Sequence, residues 1–284
     1  MTRSAKVEVA LLAILAAPCA ALFAAATAAP DDQKLVQAQM VLTVSEGKRL
    51  IARAVAQMPI VKKALKDGIV IICKGTTTTY VAEEILSTRI PHGAFVLGRT
   101  YPAVGGKKLR DVPNIGEVIL VKGKHRKDLS LQQAVRMLKA GDVVIKGANA
   151  LDYPNRLAAG IVGSSSGGTT GKILPYVHSR KAHLLIPVGL EKQVSGSVTD
   201  IVRKMQQPVE SLNDVPSMYL FTGHIVTEIE ALELLAGVSA CQVAAGGIGG
   251  AEGSVRLLCR GPREKVEKAL ELAKQVQGEP PFVE

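Results

Sequence analysis

Residues Gly68–Leu86 read GIVIICKGTTTTYVAEEIL, and no other stretch constrains this chain as tightly. The uninterrupted apolar run Ile69-Val70-Ile71-Ile72 has the pattern of a strand buried on both faces. Cys73-Lys74-Gly75 and four consecutive threonines end it, after which Tyr80, Val81, Ile85 and Leu86 recur at helical spacing. A buried strand, a Gly/Thr turn and a helix start together make an anion site. Unpaired backbone N–H groups, hydroxyl donors and the positive end of the helix converge there, with Lys74 beside them. The stretch predicts Lys74, Gly75, Thr76, Thr77, Thr78 and Thr79 as contacts for a phosphate or carboxylate.

Upstream, helices are expected over 44–57 and 60–67, separated by Pro59, with Thr43-Val44-Ser45-Glu46 as a capping box. Downstream, Phe95–Leu97 and Glu117–Val121 read as strands, and Ser130–Lys139 as a capped amphipathic helix. Val143–Ile145 reads as a buried strand ending at Lys146-Gly147-Ala148-Asn149. The Gly/Ser/Thr loop 163–171 leads into a helix through Tyr176-Val177, followed by the strand Leu184–Ile186. Strands alternating with helices predict an α/β fold, a mostly parallel sheet flanked by helices. Two prolines and Asn213-Asp214 mark a boundary near Gln207–Pro216. Beyond it, a β-α-β-β-α order predicts a smaller C-terminal α+β domain. The expected division is an N-terminal extension (1–39), an α/β anion-binding domain (40–215) and the α+β domain (216–284).

The chain has 284 residues, 47% of them hydrophobic, no Trp, five Tyr and four Phe, so its core must be aliphatic. Its net charge is +10, and the densest basic stretch is KGKHRK at Lys122–Lys127. That stretch lacks interleaved aromatics and reads as a solvated loop, and the scarcity of stacking side chains argues against nucleic acid as a partner. Cys19, Cys73, Cys241 and Cys259 show neither zinc spacing nor a disulfide framework, and the five histidines are scattered. No metal is expected. Gly163–Lys172 misses the nucleotide P-loop pattern at Ser166 and Ile173, and Gly246–Gly253 joins two strands without the helix a dinucleotide needs. No cofactor is expected either.

Arg3 and Lys6 precede an uncharged Ala/Leu-rich run, Leu11–Ala29, ending in Ala26-Thr27-Ala28. Residues 1–28 thus have the form of an export signal or a membrane anchor, and membrane contact is expected only through them. If translation starts at Met40 instead, the protein is cytoplasmic.

Three segments in order are similar to the superfamily of ribose-5-phosphate isomerase, glucosamine-6-phosphate deaminase and the CoA-transferases. IICKGTTTTYVAEEIL resembles the strand, GTGST-type loop and helix of these enzymes. GDVVIKGANALD (Gly141–Asp152) resembles the isomerase's second, acidic turn, and GSSSGGTTGKI falls where its glycine-rich loop lies. The resemblance covers roughly residues 60–195. It implies a sugar phosphate, nucleotide or CoA-like ligand held by the threonine loop. It does not carry over the isomerase reaction, because Lys146 and Asn149 stand where the carboxylates belong and proton transfer needs a base within reach. The expected site joins the threonine loop to Lys146, as a reactive or charge-stabilising group, and to Asn149, Ser165, Gly168 and Thr169. An anionic small metabolite is the expected ligand, whether or not a reaction follows. The alternative is a non-catalytic sensor or homo-oligomeric assembly protein that kept the fold.

Overall fold

The structure is a computed structural model that describes residues 34–105, 109 and 112–282. The signal-like segment 1–28 lies outside these residues. Ile69–Ile72 forms strand β2, and all four of its side chains are buried. Successive residues of β2 feed opposite cores: Ile69, Ile71 and Cys73 enter one apolar cluster, Val70 and Ile72 the other. This is the two-residue period of a strand covered on both faces.

In chain order, β2 is preceded by strand β1 (Leu35–Leu42) and helices α1 (Val44–Gln57) and α2 (Pro59–Asp67). It is followed by α3 (Thr76–Leu86), β3 (Val118–Val121), β4 (Lys124–His125), α4 (Leu131–Met137) and β5 (Val143–Ile145). Next come β6 (Ala150–Asp152), β7 (Leu157–Val162), α5 (Gly168–Arg180), β8 (His183–Pro187) and α6 (Val198–Met205). The chain closes with β9 (Ser217–Phe221), β10 (His224–Val226), α7 (Glu228–Ala236), β11 (Ser239–Ala245), β12 (Val255–Pro262) and α8 (Arg263–Val276).

The central sheet has the order β10-β8-β5-β2-β3-β4. From β10 to β2 all neighbours are parallel, and β3 and β4 add an antiparallel edge. The sheet is thus mostly parallel, as the alternation of elements implies. Local chemistry sets the helix ends. Thr43–Glu46, Ser130–Gln133 and Thr227–Glu230 each form a reciprocal capping box. Helix α1 ends at Gln57, Met58 adopts an extended conformation before Pro59, and that proline opens α2.

Two smaller antiparallel sheets depart from the expected arrangement. One has the order β1-β12-β11, the other β6-β7-β9. The strand at the head of the expected C-terminal β-α-β-β-α run, β9, pairs with β7. Its place beside β12 is taken by β1, in register from Leu35↔Pro262 to Leu42↔Val255. Position 39/40, the expected end of the extension, therefore falls inside a strand. Residues Leu35–Glu284 group as a single unit by their contacts. Phe95–Leu97 forms no strand. The carbonyl of buried Phe95 accepts the Gly75 N–H at 2.9 Å and the Thr79 hydroxyl at 3.4 Å, fastening the start of α3. Among the described residues no helix is long and apolar enough to cross a membrane.

Candidate functional site at the carboxyl edge of the sheet

Backbone bonds continue past the ends of the parallel strands and align the residues that follow them. Cys73 N donates to Ile145 O at 2.9 Å, Lys146 N to Leu185 O at 2.9 Å and Val188 N to Val226 O at 3.0 Å. Cys73 and Lys146 thereby become neighbours, and a 3-10 turn after β8 (Leu190–Lys192) adds Glu191 and Lys192. Glu228, the first residue of α7, brings its carboxylate to the same edge, where it accepts the Leu190 N–H at 3.0 Å. Lys48 enters from buried α1. Helix α1 comes this close because Gly47 has no side chain: a Cβ there would lie 2.5 Å from Glu228 Oε1. That explains a glycine in a helix interior, where it costs about 1 kcal/mol relative to alanine.

Lys48 and Lys192 thus lie near Glu191 and Glu228, and Lys146 lies near Lys192 and the Cys73 thiol. Burial, then Lys192, brings Lys48 down to about 8, against the opposing pull of Glu191 and Glu228. Burial lowers Lys192 as well, and the same two carboxylates offset part of the effect. Burial also lifts Glu228 to about 8, and nearby Glu191 adds to the shift. Cys73 is fully enclosed and pushed up to about 12 by burial, although Lys146 works in the other direction.

Lys146 differs from the other two lysines. Burial lowers it, Lys192 lowers it further, and the group offsetting these effects is the Cys73 thiol rather than a carboxylate. Its ammonium has one long contact, 3.5 Å to Gly147 O, and lies 5.4 Å from the centre of the Phe221 ring. Lys192, by contrast, donates to Ala148 O at 2.8 Å. Glu191 Oε1 is buried with no hydrogen-bond partner among the described residues. The cluster therefore has a cationic side around Lys146 and an incompletely satisfied carboxylate beside Lys192.

The threonine loop is arranged differently from a free anion grip. Thr78 and Thr79 turn their hydroxyls back onto Gly75 O, at 3.1 and 2.7 Å. The Gly75 N–H is already bound to Phe95. Lys74 reaches away to Asn114 Oδ1 at 2.5 Å. What stays available is the first turn of α3, which has no side-chain cap, so the N–H groups of Thr76, Thr77 and Thr78 lack intrahelical acceptors. The Thr77 hydroxyl, buried and without a hydrogen-bond partner among the described residues, sits in that same turn.

The second loop is brought to this edge by a hairpin, β6–β7. Asn149 Oδ1 accepts the Ile161 N–H at 3.0 Å, so Val162 and Gly163 return beside the turn that follows β5. Ser165 is exposed, while Gly168 and Thr169 open α5 behind the uncapped residue Gly167. Asn149 and residues 163–166 are exposed, Gly167 is buried, and Lys146 and Lys192 are partly exposed towards solvent. Two surface depressions lie elsewhere: one of about 350 Å³ between α7 and β11, one of about 260 Å³ beside Arg49 and Arg89.

Sequence reading names Lys146 and the threonine turn as candidates and passes over Lys48, Glu191, Lys192 and Glu228 beside them. Gly189-Leu190-Glu191-Lys192 does carry a signal, a charged pair directly after a buried strand. Lys48 carries none, because its burial depends on how α1 is covered. Among the described residues no group of three His, Cys, Asp or Glu side chains is placed to hold a metal. No family model, curated protein or solved structure matches this chain.

Proposed function

We propose that the protein binds a small anionic metabolite at the carboxyl edge of the central sheet, with Lys146 and Lys192 as its cationic contacts. The observation that carries this reading is Lys146, a half-buried ammonium whose one contact is 3.5 Å to Gly147 O and which has no carboxylate among the described residues to balance it. An uncompensated charge in such surroundings is costly, and an incoming anion relieves the cost. The open N–H groups of α3 and the unpartnered Thr77 hydroxyl add donors on the same edge, the usual crevice of an open α/β sheet. The order of segments resembling the sugar-phosphate isomerase superfamily supports a phosphorylated ligand over a simple carboxylate. Asn149, Ser165, Gly168 and Thr169 would then border the ligand, and Lys74 and Thr79 would serve the architecture of the loop. We assign binding and no reaction.

Thermal denaturation with inorganic phosphate, ribose 5-phosphate, AMP and CoA tests the reading. A phosphorylated compound should raise the melting temperature, and Lys146→Met should abolish the shift while Lys74→Met keeps it. No shift with any compound, or an undiminished shift in Lys146→Met, would overturn the assignment.

One observation favours a second reading, self-assembly through the β1-β12-β11 layer. Strand β11 is an edge strand whose residues Val243–Ala245 are all exposed, and Ile248 in the following loop is 89% exposed. Light scattering during gel filtration checks it: a monomer at all concentrations removes this reading.

A further inference from the structure

The positive surplus of the chain is concentrated at the edge opposite Lys146, where the chain enters β2, β5 and β8. Four segments meet there. The β3–β4 turn is fastened to the end of α2, with Lys122 N donating to Gly68 O at 2.8 Å. Asp142 ties the remainder together. Its carboxylate accepts the N–H groups of Ile69 at 2.8 Å and Lys139 at 2.7 Å, and its carbonyl accepts His183 N–H at 2.8 Å. Segments 62–67, 122–128, 136–142 and 180–183 are thus contiguous, and they hold eleven Lys/Arg against three Asp, or eight of the net +10 charges. Ten of the eleven cations are exposed, the exception being half-buried Arg126. Asp142 is buried and occupied by backbone, and Asp128 is paired with Arg126 at 2.6 Å, which leaves Asp67 as the one acid facing solvent unpaired among these segments.

We propose that this edge is a docking surface for an anionic phospholipid bilayer. The composition favours lipid over nucleic acid. Lysines outnumber arginines by eight to three, which suits diffuse attraction to headgroup phosphates rather than forked recognition of a base or a single phosphate. The four segments contain no Trp, Tyr or Phe to stack on bases. Met137, 39% exposed between Arg136 and Lys139, provides a flexible apolar side chain at headgroup depth. The same chain carries the uncharged run Leu11–Ala29, and a polybasic patch combined with an apolar segment gives durable attachment where either alone is weak. Docking by this edge leaves the opposite, Lys146 edge facing the aqueous phase. The inference stands whether or not a metabolite binds there.

The test is cosedimentation of the full chain with vesicles of phosphatidylcholine alone and of phosphatidylcholine with phosphatidylglycerol. Binding should require the anionic lipid and fall steeply as salt is raised. The triple variant Lys122→Glu/Lys124→Glu/Lys127→Glu should lose roughly a hundredfold or more in partitioning. Lys268→Glu/Lys274→Glu, on the exposed face of α8, should bind as the parent does, and unchanged melting of both variants would show that folding is intact. Equal binding to neutral vesicles, an unaffected triple variant or no sedimentation at all would each overturn the proposal. So would salt-sensitive binding to duplex DNA that the triple variant loses while anionic vesicles fail to sediment the protein.

Discussion

At the scale of single residues, the carboxyl edge holds side chains whose ordinary charge states are disfavoured. Lys146→Met keeps the length of the side chain and removes the unbalanced charge. It should stabilise the ligand-free protein by about 1 kcal/mol, read as a higher urea midpoint, even as it removes ligand response. Stabilisation together with lost response would distinguish a functional lysine from a structural one, whose removal destabilises. Glu228 makes a prediction in pH. Burial raises it from 4.5 to about 8, so between those values the folded chain holds a proton that the unfolded chain has lost. Its contribution to stability is most favourable below pH 4.5, declines as pH rises towards 8, and stays lowered above that. Glu228→Gln should flatten this decline, which denaturant midpoints between pH 5 and pH 8.5 would record as a gain of roughly 2–4 kcal/mol at the upper end. Lys48, lowered from 10.5 to about 8, opposes this only at higher pH, with stability recovering from about 8 to 10.5.

At the scale of elements, α1 is held by charge as well as by apolar packing. Arg49, 3% exposed, bonds Glu83 at 2.5 Å, Glu84 at 2.9 Å and Glu279 at 3.0 Å, joining α1, α3 and the segment after α8. Burial opposes its charge, but hydrogen bonds to Glu279 and Glu83 outweigh burial and raise its pKa. Arg49→Ala would leave Glu83 and Glu279 without their principal partner, since Arg89, which also reaches both, is largely exposed. The expected loss is about 3–5 kcal/mol in urea denaturation, accompanied by earlier proteolytic cleavage after α8. Breaking the exposed Arg126–Asp128 pair should leave the midpoint where it was. Strand β1 shows how an element escapes a local reading. Val36, Ala38, Met40 and Leu42 alternate with Gln37 and Gln39 and pack towards the core, which is a legible strand period. Its backbone, however, is satisfied only by β12, more than two hundred residues away in sequence.

At the scale of the whole molecule, the two edges of the central sheet have opposite characters: a half-buried mixed-charge cluster where the parallel strands end and an exposed cationic surface where they begin. Thermal-shift ligands should act at the first and anionic vesicles at the second, and each class of variant should leave the other readout intact. Much of this frame was legible in local chemistry. The runs Ile69–Ile72, Val143–Ile145 and Leu184–Ile186 are too apolar to face water, and the Thr43, Ser130 and Thr227 caps mark where helices must start. Lys146 and the threonine turn stand out as candidates for the same reason, since polar residues directly after buried strands have few places to go. Tertiary structure alone made the remaining assignments. It set Lys48, Glu191, Lys192 and Glu228 around one space, turned the Thr78 and Thr79 hydroxyls inward, and gathered lysines from four separate segments onto one edge. Strand and cap signals depend on neighbours within a few residues. Burial of a charge and the company it keeps depend on chain segments far apart in sequence, and only folding brings those together.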